Sequence, residues 1–225
     1  MQKIKISQIL LFSAIMLLTA VLAVVSVNLL LGGLSLGDFR GVTLVAAGVL
    51  FIYIYALALY RLFLFVVPLE EGEIAAGSRQ EFAAQVNILF YLVLFNTLIR
   101  THVLPIPLLR LVYLALGAHL GRDSYSAGAI LDPPLTYVGD NCIIGHDAVL
   151  YSHAIEGKRF SLAAIRIGNG VTIGAHAVIM SGVTIDDGAI VSAGAVVTKG
   201  TRIAAGEVWG GVPAKRLRES TDARS

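Results

Sequence analysis

A histidine and a glutamate stand three positions apart in the segment SHAIEG, residues 152–157. His153 is a candidate general base, because an imidazole with a pKa of about 6.5 can take a proton from an attacking hydroxyl or amine. Glu156 is a candidate for the group that holds the imidazole in one tautomer and stabilises the charge it acquires. We therefore predict that His153 and Glu156 form a catalytic pair on one loop.

This loop interrupts a repeat of six residues that begins near residue 120. A period of six fits neither an amphipathic helix nor an alternating strand. It is typical of a parallel β-helix, in which three hexads form a triangular coil, and here it predicts about four to five coils. The excursion that carries His153 breaks the repeat once, and open coil ends need caps, expected before Leu120 and from Pro213. The predicted inward first positions are Leu120, Ser126, Asp132, Val138, Ile144, Leu150, Ile167, Ile173, Ile179, Ile185, Val191, Val197, Ile203 and Trp209.

The composition excludes several classes of protein. Charged residues make up 14% of the 225-residue chain and the mean hydropathy is +0.80. The chain is therefore neither an ordinary soluble domain, with roughly 25% charged residues, nor a disordered protein. A net charge of +2 supplies no basic face, so we expect no nucleic acid partner. The single cysteine, Cys142, is predicted to be a small inward residue and excludes a disulfide framework or a cysteine-built zinc site.

The apolar residues concentrate before the repeat. Residues 6–37 contain no charged side chain, and the densest part, 9–31, exceeds the roughly 20 residues that cross a bilayer as a helix. Residues 41–60 are again uncharged, and the apolar run continues to Pro68. We therefore predict a transmembrane helical hairpin over 1–68. A cleaved signal peptide is disfavoured, because its apolar region would span about 7–15 residues and no second span would follow.

A third apolar segment, 82–99, is interrupted by polar side chains, which are costly in the middle of a bilayer. We predict an amphipathic helix there that lies at the interface or packs against the hairpin; the alternative, a third crossing, would move the C-terminal half to the opposite face. Lys3 and Lys5 favour a cytoplasmic N-terminus. Two crossings then place the repeat at the cytoplasmic face of the cell inner membrane, in a multi-pass protein. The predicted domains are the hairpin 1–68, the linker 69–119, the β-helix 120–218 and a disordered tail 219–225.

The stretch IRIGNGVTIGAHAVIMSGVTIDDGAIVSAGAVVTKG, closed by WGGVPAKRLRE, resembles the hexapeptide acyltransferases of the maltose and galactoside O-acetyltransferase type. The resemblance covers residues 120–218 and implies an all-β left-handed parallel β-helix with a short C-terminal cap. The membrane hairpin followed by SHAIEG is also similar to the terminal membrane module of poly-lysine-synthetase-type peptide synthetases. The predicted fold is thus an N-terminal transmembrane helical hairpin plus this β-helix.

The resemblance implies an acyltransferase, most simply an acetyltransferase. It would move an acyl group from acetyl-CoA or another acyl-CoA directly to a hydroxyl or amine, with His153 as general base and a backbone N–H stabilising the oxyanion. Small residues would let the pantetheine arm approach the backbone, and basic residues would face the nucleotide phosphates. The resemblance also implies a homotrimer with sites between adjacent β-helices. The corresponding donor-binding residues are Ala175, Ala193, Thr198, Lys199, Lys215 and Arg218.

A trimer of this kind would gather its membrane hairpins beneath the sites. The acceptor is therefore expected to be membrane-associated: a lipid-linked or envelope glycan, a lipid or a peptide. Two other functions stay open. The donor could be an acyl carrier protein in an amide-forming reaction, with Lys158, Arg159 and Arg166 docking an acidic carrier, or the chain could be a non-catalytic trimeric membrane scaffold.

The main alternative to a catalytic role for the histidines is metal binding. A zinc site of the γ-class carbonic anhydrase type needs three histidines, two of them about five residues apart. Neither the spacing from His146 to His153 nor that from His153 to His176 fits this pattern. We therefore predict no metal cofactor.

Overall fold

The computed structural model describes residues 6–35, 37–101, 103–157 and 159–218. Some residues on which predictions depend lie outside these ranges, namely Lys3, Lys5, Lys158 and the tail 219–225. Helices form the first half of the chain: α1 (Ile6–Leu31), α2 (Arg40–Val66), α3 (Arg79–Phe90), α4 (Asn96–Arg100) and α5 (Ile106–Leu116), with a π-helical stretch (Tyr91–Phe95) that joins α3 to α4.

Among the described residues, three helical stretches have the length and apolar composition to cross a membrane: Ile6–Leu31, Gly37–Val66 and Arg79–Arg100. The third is half buried inside the protein. Phe90 of α3 meets Phe12 of α1 edge to face, with ring centroids 5.3 Å apart. The third stretch therefore packs against the first, and the number of crossings stays a prediction.

Short strands form the second half of the chain in successive coils. The first coil has β2 (His119–Leu120), β3 (Tyr125–Ser126) and β4 (Ala129–Ile130); the second has β5 (Thr136–Val138), β6 (Ile143–Ile144) and β7 (Val149–Leu150); the third has β10 (Ile165–Ile167), β11 (Thr172–Ile173) and β12 (Val178–Ile179); the fourth has β13 (Thr184–Ile185), β14 (Ile190–Val191) and β15 (Val196–Val197); β16 (Arg202–Ile203), β17 (Val208–Gly210) and β18 (Lys215–Arg218) follow. Three further strands, β1 (Gly72–Glu73), β8 (His153–Glu156) and β9 (Arg159–Leu162), lie outside the coils.

The coil strands stack into parallel sheets, one for each face of a triangular prism. Their orders are β2–β5–β10–β13–β16, β3–β6–β11–β14–β17 and β4–β7–β12–β15, and β18 adds antiparallel to β17. Ile144, Ile173 and Val191 pair in register and are at most 2% exposed. Cys142 is also buried, which raises the pKa of its thiol. This arrangement confirms a hexapeptide-repeat β-helix and fits the left-handed form.

The register of the first coil differs from the predicted repeat. Ile130 pairs with Leu150 and fills the interior position that the repeat assigns to Asp132. The corner after Ile130 is lengthened by a 3₁₀ turn, Pro133–Leu135, whereas the corner before it, after Ser126, is short. The predicted inward position of Asp132 is therefore wrong, and its carboxylate lies at a corner of the prism.

Helix α5 caps the first coil, as expected from the sequence. Arg110 donates to the backbone carbonyls of Ser124 and Gly121 at 3.0 and 2.7 Å. The hydroxyl of Tyr113 donates to the carbonyl of Gly128 at 2.6 Å and accepts from the N–H of Ile130 at 3.1 Å. These contacts pair the backbone groups that an open coil end would leave exposed.

Replacing Tyr113 by phenylalanine should destabilise the folded state by about 1–3 kcal/mol, because the buried N–H of Ile130 loses its partner. Unfolding of the detergent-solubilised protein would measure this change. Tyr125→Phe removes a hydroxyl from a partly exposed ring and should shift the free energy of unfolding by less than about 0.5 kcal/mol. Equal stabilities of the two variants would show that Tyr113 does not cap the coil.

Candidate active site

The loop that interrupts the repeat is a β-hairpin. Strands β8 and β9 pair antiparallel, with His153 opposite Leu162. Gly157, with a φ of 62°, lies in the turn, where a left-handed backbone favours glycine. Strand β1, from the segment between α2 and α3, pairs with β9 through Gly72 and Glu73. The predicted excursion is thus an ordered three-stranded sheet that presents His153 at its base.

Ser152 fixes the point where the hairpin leaves the coil. Its hydroxyl donates to the carbonyl of Leu135 at 3.1 Å. Its carbonyl accepts from the N–H of Ala163 at 2.9 Å and from the hydroxyl of Ser181 at 2.7 Å. Because Ser152 and Ser181 are both fully buried, the base of the hairpin is held to the coils on either side.

His153 is paired with Asp132. The Nδ1 atom of His153 lies 2.6 Å from Oδ2 of Asp132, and this oxygen also accepts the backbone N–H groups of Ser152 and His153 at 2.8 and 3.1 Å. The Asp132 side chain is 2% exposed and the His153 side chain 23% exposed. Since a carboxylate oxygen can only accept, Nδ1 carries the proton and Nε2 keeps the lone pair that a general base needs.

Two opposing effects set the pKa of His153. Burial lowers it, because a charged imidazolium loses water. The hydrogen bond to Asp132 and the charge of Asp132 raise it, and together they outweigh burial, so the pKa of His153 lies above its ordinary value. The Asp132 carboxylate thereby stabilises the imidazolium that forms when the ring accepts a proton.

Glu156 does not take the predicted part in this pair. Its carboxylate, 60% exposed, accepts from Nζ of Lys199 at 3.0 Å, while Asp132 occupies Nδ1 of His153. Successive side chains of a strand alternate between its faces, so residues 153 and 156 of β8 point to opposite sides. The prediction that Glu156 orients His153 is therefore corrected: Asp132 does so.

Lys199 lies at the same corner of the prism as the hairpin. Gly200, which follows it, donates to the carbonyl of Ser181, and Ser181 bonds to Ser152 one coil earlier. Besides Glu156, Lys199 donates to the hydroxyl of Ser161 on β9 at 3.3 Å. The neighbouring Thr198 faces Thr201, with their hydroxyls 3.2 Å apart. Two of the predicted donor-binding residues therefore lie beside the hairpin that carries His153.

The other predicted donor-binding residues lie elsewhere on the chain. Ala175 and Ala193 occupy successive levels of the corner between β11 and β12 and between β14 and β15, and the carbonyl of Ala175 accepts from Gly194 at 2.8 Å. Lys215 and Arg218 are exposed on β18. A single chain does not bring these residues together with His153, which is the arrangement expected if sites form between neighbouring β-helices.

Residues 164–199, which span β10 to β15, match the family described as bacterial transferase hexapeptide (six repeats). These residues lie within the β-helix, which we call the hexapeptide-repeat domain because its strands recur every six residues over most of its length. A hexapeptide-repeat acetyltransferase of Vibrio cholerae O1 biovar eltor, solved with acetyl coenzyme A, has a TM-score of 0.50 and 22% identity, over 71% of this chain and 99% of that chain. A galactoside acetyltransferase solved with coenzyme A is 33% identical over 47% of this chain and 56% of that chain, with a TM-score of 0.41. The likeness to the Vibrio cholerae structure shows a shared fold.

The curated proteins that match this chain are named as carbonic anhydrases and not as acetyltransferases. The mitochondrial γ carbonic anhydrase 2 of Arabidopsis thaliana is 39% identical over 104 residues, which is 46% of this chain and 32% of that protein. The mitochondrial γ carbonic anhydrase 1 of the same plant is 42% identical over 87 residues, 39% of this chain and 27% of that protein. This chain therefore spans about a third or less of the curated relatives it matches.

Apart from His153, the described histidines of the hexapeptide-repeat domain lie at one of its corners and on its first strand. His176 has a φ of 57° at the corner after β11, and its ring is 6.3 Å from that of His146 one coil earlier. His119 stacks on Tyr137 at 4.5 Å. Within the described ranges, no group of three histidine, cysteine or acidic side chains has an arrangement that could hold a metal ion.

Proposed function

We propose that the protein is a membrane-anchored acyltransferase in which His153 is the general base. The observation that carries the proposal is the pair of His153 and Asp132, 2.6 Å apart, at the base of a hairpin on a hexapeptide-repeat domain. The His153 side chain keeps 23% exposure, while the carboxylate behind it is buried. Related solved structures that hold CoA or acetyl-CoA support an acyl-CoA as the donor.

The proposed reaction is a direct transfer within one ternary complex. Nε2 of His153 removes the proton from the acceptor hydroxyl or amine as its oxygen or nitrogen attacks the thioester carbonyl. Asp132 stabilises the resulting imidazolium. The tetrahedral intermediate then collapses, the carbon–sulfur bond breaks, and the imidazolium returns its proton to the departing CoA thiolate. The products are the ester or amide and free CoA, and His153 is neutral again.

Lys199 is the basic residue best placed to meet the donor. It stands at the corner of His153, and Glu156 and Ser161 hold its ammonium group in place. An ammonium group forms strong charge-assisted hydrogen bonds with phosphate oxygens. We propose that Lys199 faces the CoA phosphates, with Lys215 and Arg218 contributed by β18 of a neighbouring copy in a homotrimer.

Lys199→Gln should raise the KM for acetyl-CoA by roughly 10- to 100-fold and leave kcat nearly unchanged, because one charged hydrogen bond is worth about 1.5–3 kcal/mol. Steady-state kinetics with acetyl-CoA and with acetyl-pantetheine, which lacks the nucleotide phosphates, would separate the causes. The truncated donor should show no effect of the substitution. Arg202→Gln, which removes an exposed pair with Asp186, is the matched control. A loss of the same size with both donors would contradict the assignment of Lys199.

The apolar helices favour a membrane-associated acceptor. Strand β1 is the next element after α2 and joins the hairpin sheet. Glu71 accepts from the N–H of Ala164 at 2.9 Å and pairs with Arg166 at 2.7 Å. The candidate anchor is thus tied to the catalytic hairpin itself. We propose that the site works close to the cytoplasmic face of the inner membrane on a lipid-linked or envelope glycan, a lipid or a peptide.

A labelled-donor experiment tests the proposal. The purified protein in nanodiscs is incubated with ¹⁴C-acetyl-CoA and envelope extract, and the labelled products are identified. In parallel, the glycans and lipids of cells with and without the protein are compared by intact mass. We expect an added acetyl group on one envelope product. Label that appears only when a loaded acyl carrier protein replaces acetyl-CoA would favour the carrier-dependent reaction. The absence of any difference would contradict an enzymatic function.

The carrier alternative finds less support in the charges around the hairpin. Of the three basic residues predicted to dock an acidic carrier, Arg166 pairs with Glu71 and Arg159 approaches Glu73 at 3.7 Å. Their positive charge is thus partly neutralised within the protein. We therefore favour CoA as the donor.

A further inference from the structure

The apolar helices supply two polar side chains that meet behind the catalytic pair. The hydroxyl of Tyr60, on α2, donates to Oδ1 of Asn87, on α3, at 2.6 Å. The Nδ2 atom of Asn87 in turn faces Oδ1 of Asp132 at 3.5 Å. Tyr60 and Asn87 are 2% exposed and Asp132 is 1% exposed. One buried chain of hydrogen-bonding groups therefore runs from α2 to the carboxylate that holds His153.

The groups at the two ends of this hydrogen-bonded series determine which group donates and which accepts at each step. A carboxylate oxygen only accepts, so the amide of Asn87 must turn its NH₂ group towards Asp132. Its carbonyl oxygen then faces Tyr60, whose hydroxyl can donate. Reversing the amide would place two acceptors against each other at Asp132, so each group fixes the orientation of the next.

The surroundings of Tyr60 are aromatic, so a polar group without a hydrogen-bond partner would be destabilising there. Tyr60 is packed against Phe90 and Phe95, with ring centroids 5.2 and 6.1 Å apart. A polar amide buried in such surroundings costs free energy unless its groups are hydrogen-bonded. Asn87 meets this requirement through Tyr60 on one side and Asp132 on the other.

We propose that Asn87 and Tyr60 are positioning residues for His153. Asn87 holds Oδ1 of Asp132, which leaves Oδ2 for the two backbone N–H groups and for Nδ1 of His153. Tyr60 fixes the amide of Asn87 in the orientation that donates. This inference rests on the proposed function and extends it: the helical segment completes the active site in addition to anchoring it.

The test compares Asn87→Leu and Tyr60→Phe with the matched control Tyr53→Phe. Tyr53 also lies on α2 and donates to the π-helical stretch, at the carbonyl of Leu94 (3.3 Å), so its loss weakens the same helix contact without touching Asp132. All variants are made in the full chain. Thermal unfolding of each in detergent shows whether it is folded.

We expect Asn87→Leu to lower kcat about 10- to 100-fold, as misplaced catalytic groups do, with little change in the KM for acetyl-CoA. The acidic limb of the pH profile, where the rate rises as His153 loses its proton, should move to higher pH, because a carboxylate with one donor fewer concentrates its charge on the oxygen that faces His153. Tyr60→Phe should lower kcat by a few-fold and should also move the pH profile to higher pH. Tyr53→Phe should match the unmodified protein.

A second readout does not depend on turnover. Diethyl pyrocarbonate modifies neutral imidazole, and peptide mass spectrometry resolves His153 from the other histidines of the chain. The pH midpoint of His153 modification should move upward in Asn87→Leu and Tyr60→Phe. The other titratable side chains near the pair are the phenols of Tyr60, Tyr91 and Tyr151, and Arg61 follows Tyr60 in the sequence. A phenol in water has a pKa of about 10, so a change in modification between pH 5 and 9 reports on His153.

The two proposals fail in different ways. An unmodified protein that transfers no acyl group contradicts the proposed function, whereas the modification midpoints still test the coupling. A folded Asn87→Leu variant with an unchanged kcat and an unchanged midpoint overturns the positioning role. The same conclusion follows if Tyr53→Phe shifts both readouts as much as Tyr60→Phe. If Asn87→Leu does not fold, Tyr60→Phe decides by the same criteria.

Discussion

Replacing His153 by alanine should lower kcat for acyl transfer by roughly 10²- to 10⁴-fold, the usual contribution of a general base. The loss should fall on kcat, because His153 acts on the reacting proton and not on donor affinity. Initial rates with acetyl-CoA at several acceptor concentrations would measure it. Thermal unfolding shows whether the variant is folded, since Oδ2 of Asp132 loses the ring but keeps the backbone N–H groups of Ser152 and of residue 153.

His146→Ala is the matched control for this variant. His146 is an exposed histidine of the same domain, but it follows β6 at a different corner from the hairpin. Its replacement should leave the rate within about twofold, as for a surface substitution away from the site. A His153→Ala variant that keeps full activity would contradict general-base catalysis by this residue, and a non-catalytic membrane scaffold would not be affected by the substitution at all.

The β-helix is largely readable from the sequence, since its physical basis is local. Each hexad must place one aliphatic side chain inside the coil, and Ile144, Ile173 and Val191 stack there as the period requires. The six-residue period does not hold at the corner after Ile130, where the backbone forms a 3₁₀ turn. The 3₁₀ turn at Pro133–Leu135 lengthens one corner, and this shift moves Asp132 from the predicted interior to the corner beside His153.

The predicted partner of His153 is wrong for a related reason. On an irregular loop His153 and Glu156 could be neighbours, but this part of the loop is a strand, and an odd separation along a strand places side chains on opposite faces. A signal for Asp132 was nevertheless present in the sequence. A charged residue stood at a repeat position that is otherwise almost always aliphatic.

No sequence pattern indicates that Tyr60 and Asn87 lie behind Asp132. Tyr60 lies in an apolar helix and Asn87 in an apolar segment that polar side chains interrupt, and their contact depends on how α2 and α3 pack on the first coil. Long-range contacts of this kind are set by tertiary packing, which a local period does not encode. The resemblance implies that Ala175, Ala193 and Lys199 bind one donor, and within one chain they lie at different corners of the prism.

Asp132→Asn should lower kcat by roughly 10²- to 10⁴-fold, because a neutral amide neither stabilises the imidazolium nor enforces the tautomer with a free Nε2. The amide keeps the size of the side chain and can still accept from the N–H of Ser152, so the hairpin base should remain folded. Kinetics from pH 5 to 9 would measure the loss. Asp187→Asn, at an exposed corner where it bonds to Asn169, is the control and should leave the rate unchanged.

The pH dependence of the same variant has a definite sign. In the unmodified protein the hydrogen bond and charge of Asp132 raise the pKa of His153 despite burial, so the base becomes neutral, and kcat/KM rises, only above the ordinary value of about 6.5. The same shift stabilises the fold fully below that value, and this stabilisation is lost as the pH rises through the raised pKa. Without the charge of Asp132, burial alone acts on the ring, so the midpoint of the residual activity should fall below about 6.5. A midpoint that stays at its original pH would show that Asp132 does not set the protonation of His153, and that the 2.6 Å contact serves only to hold the hairpin.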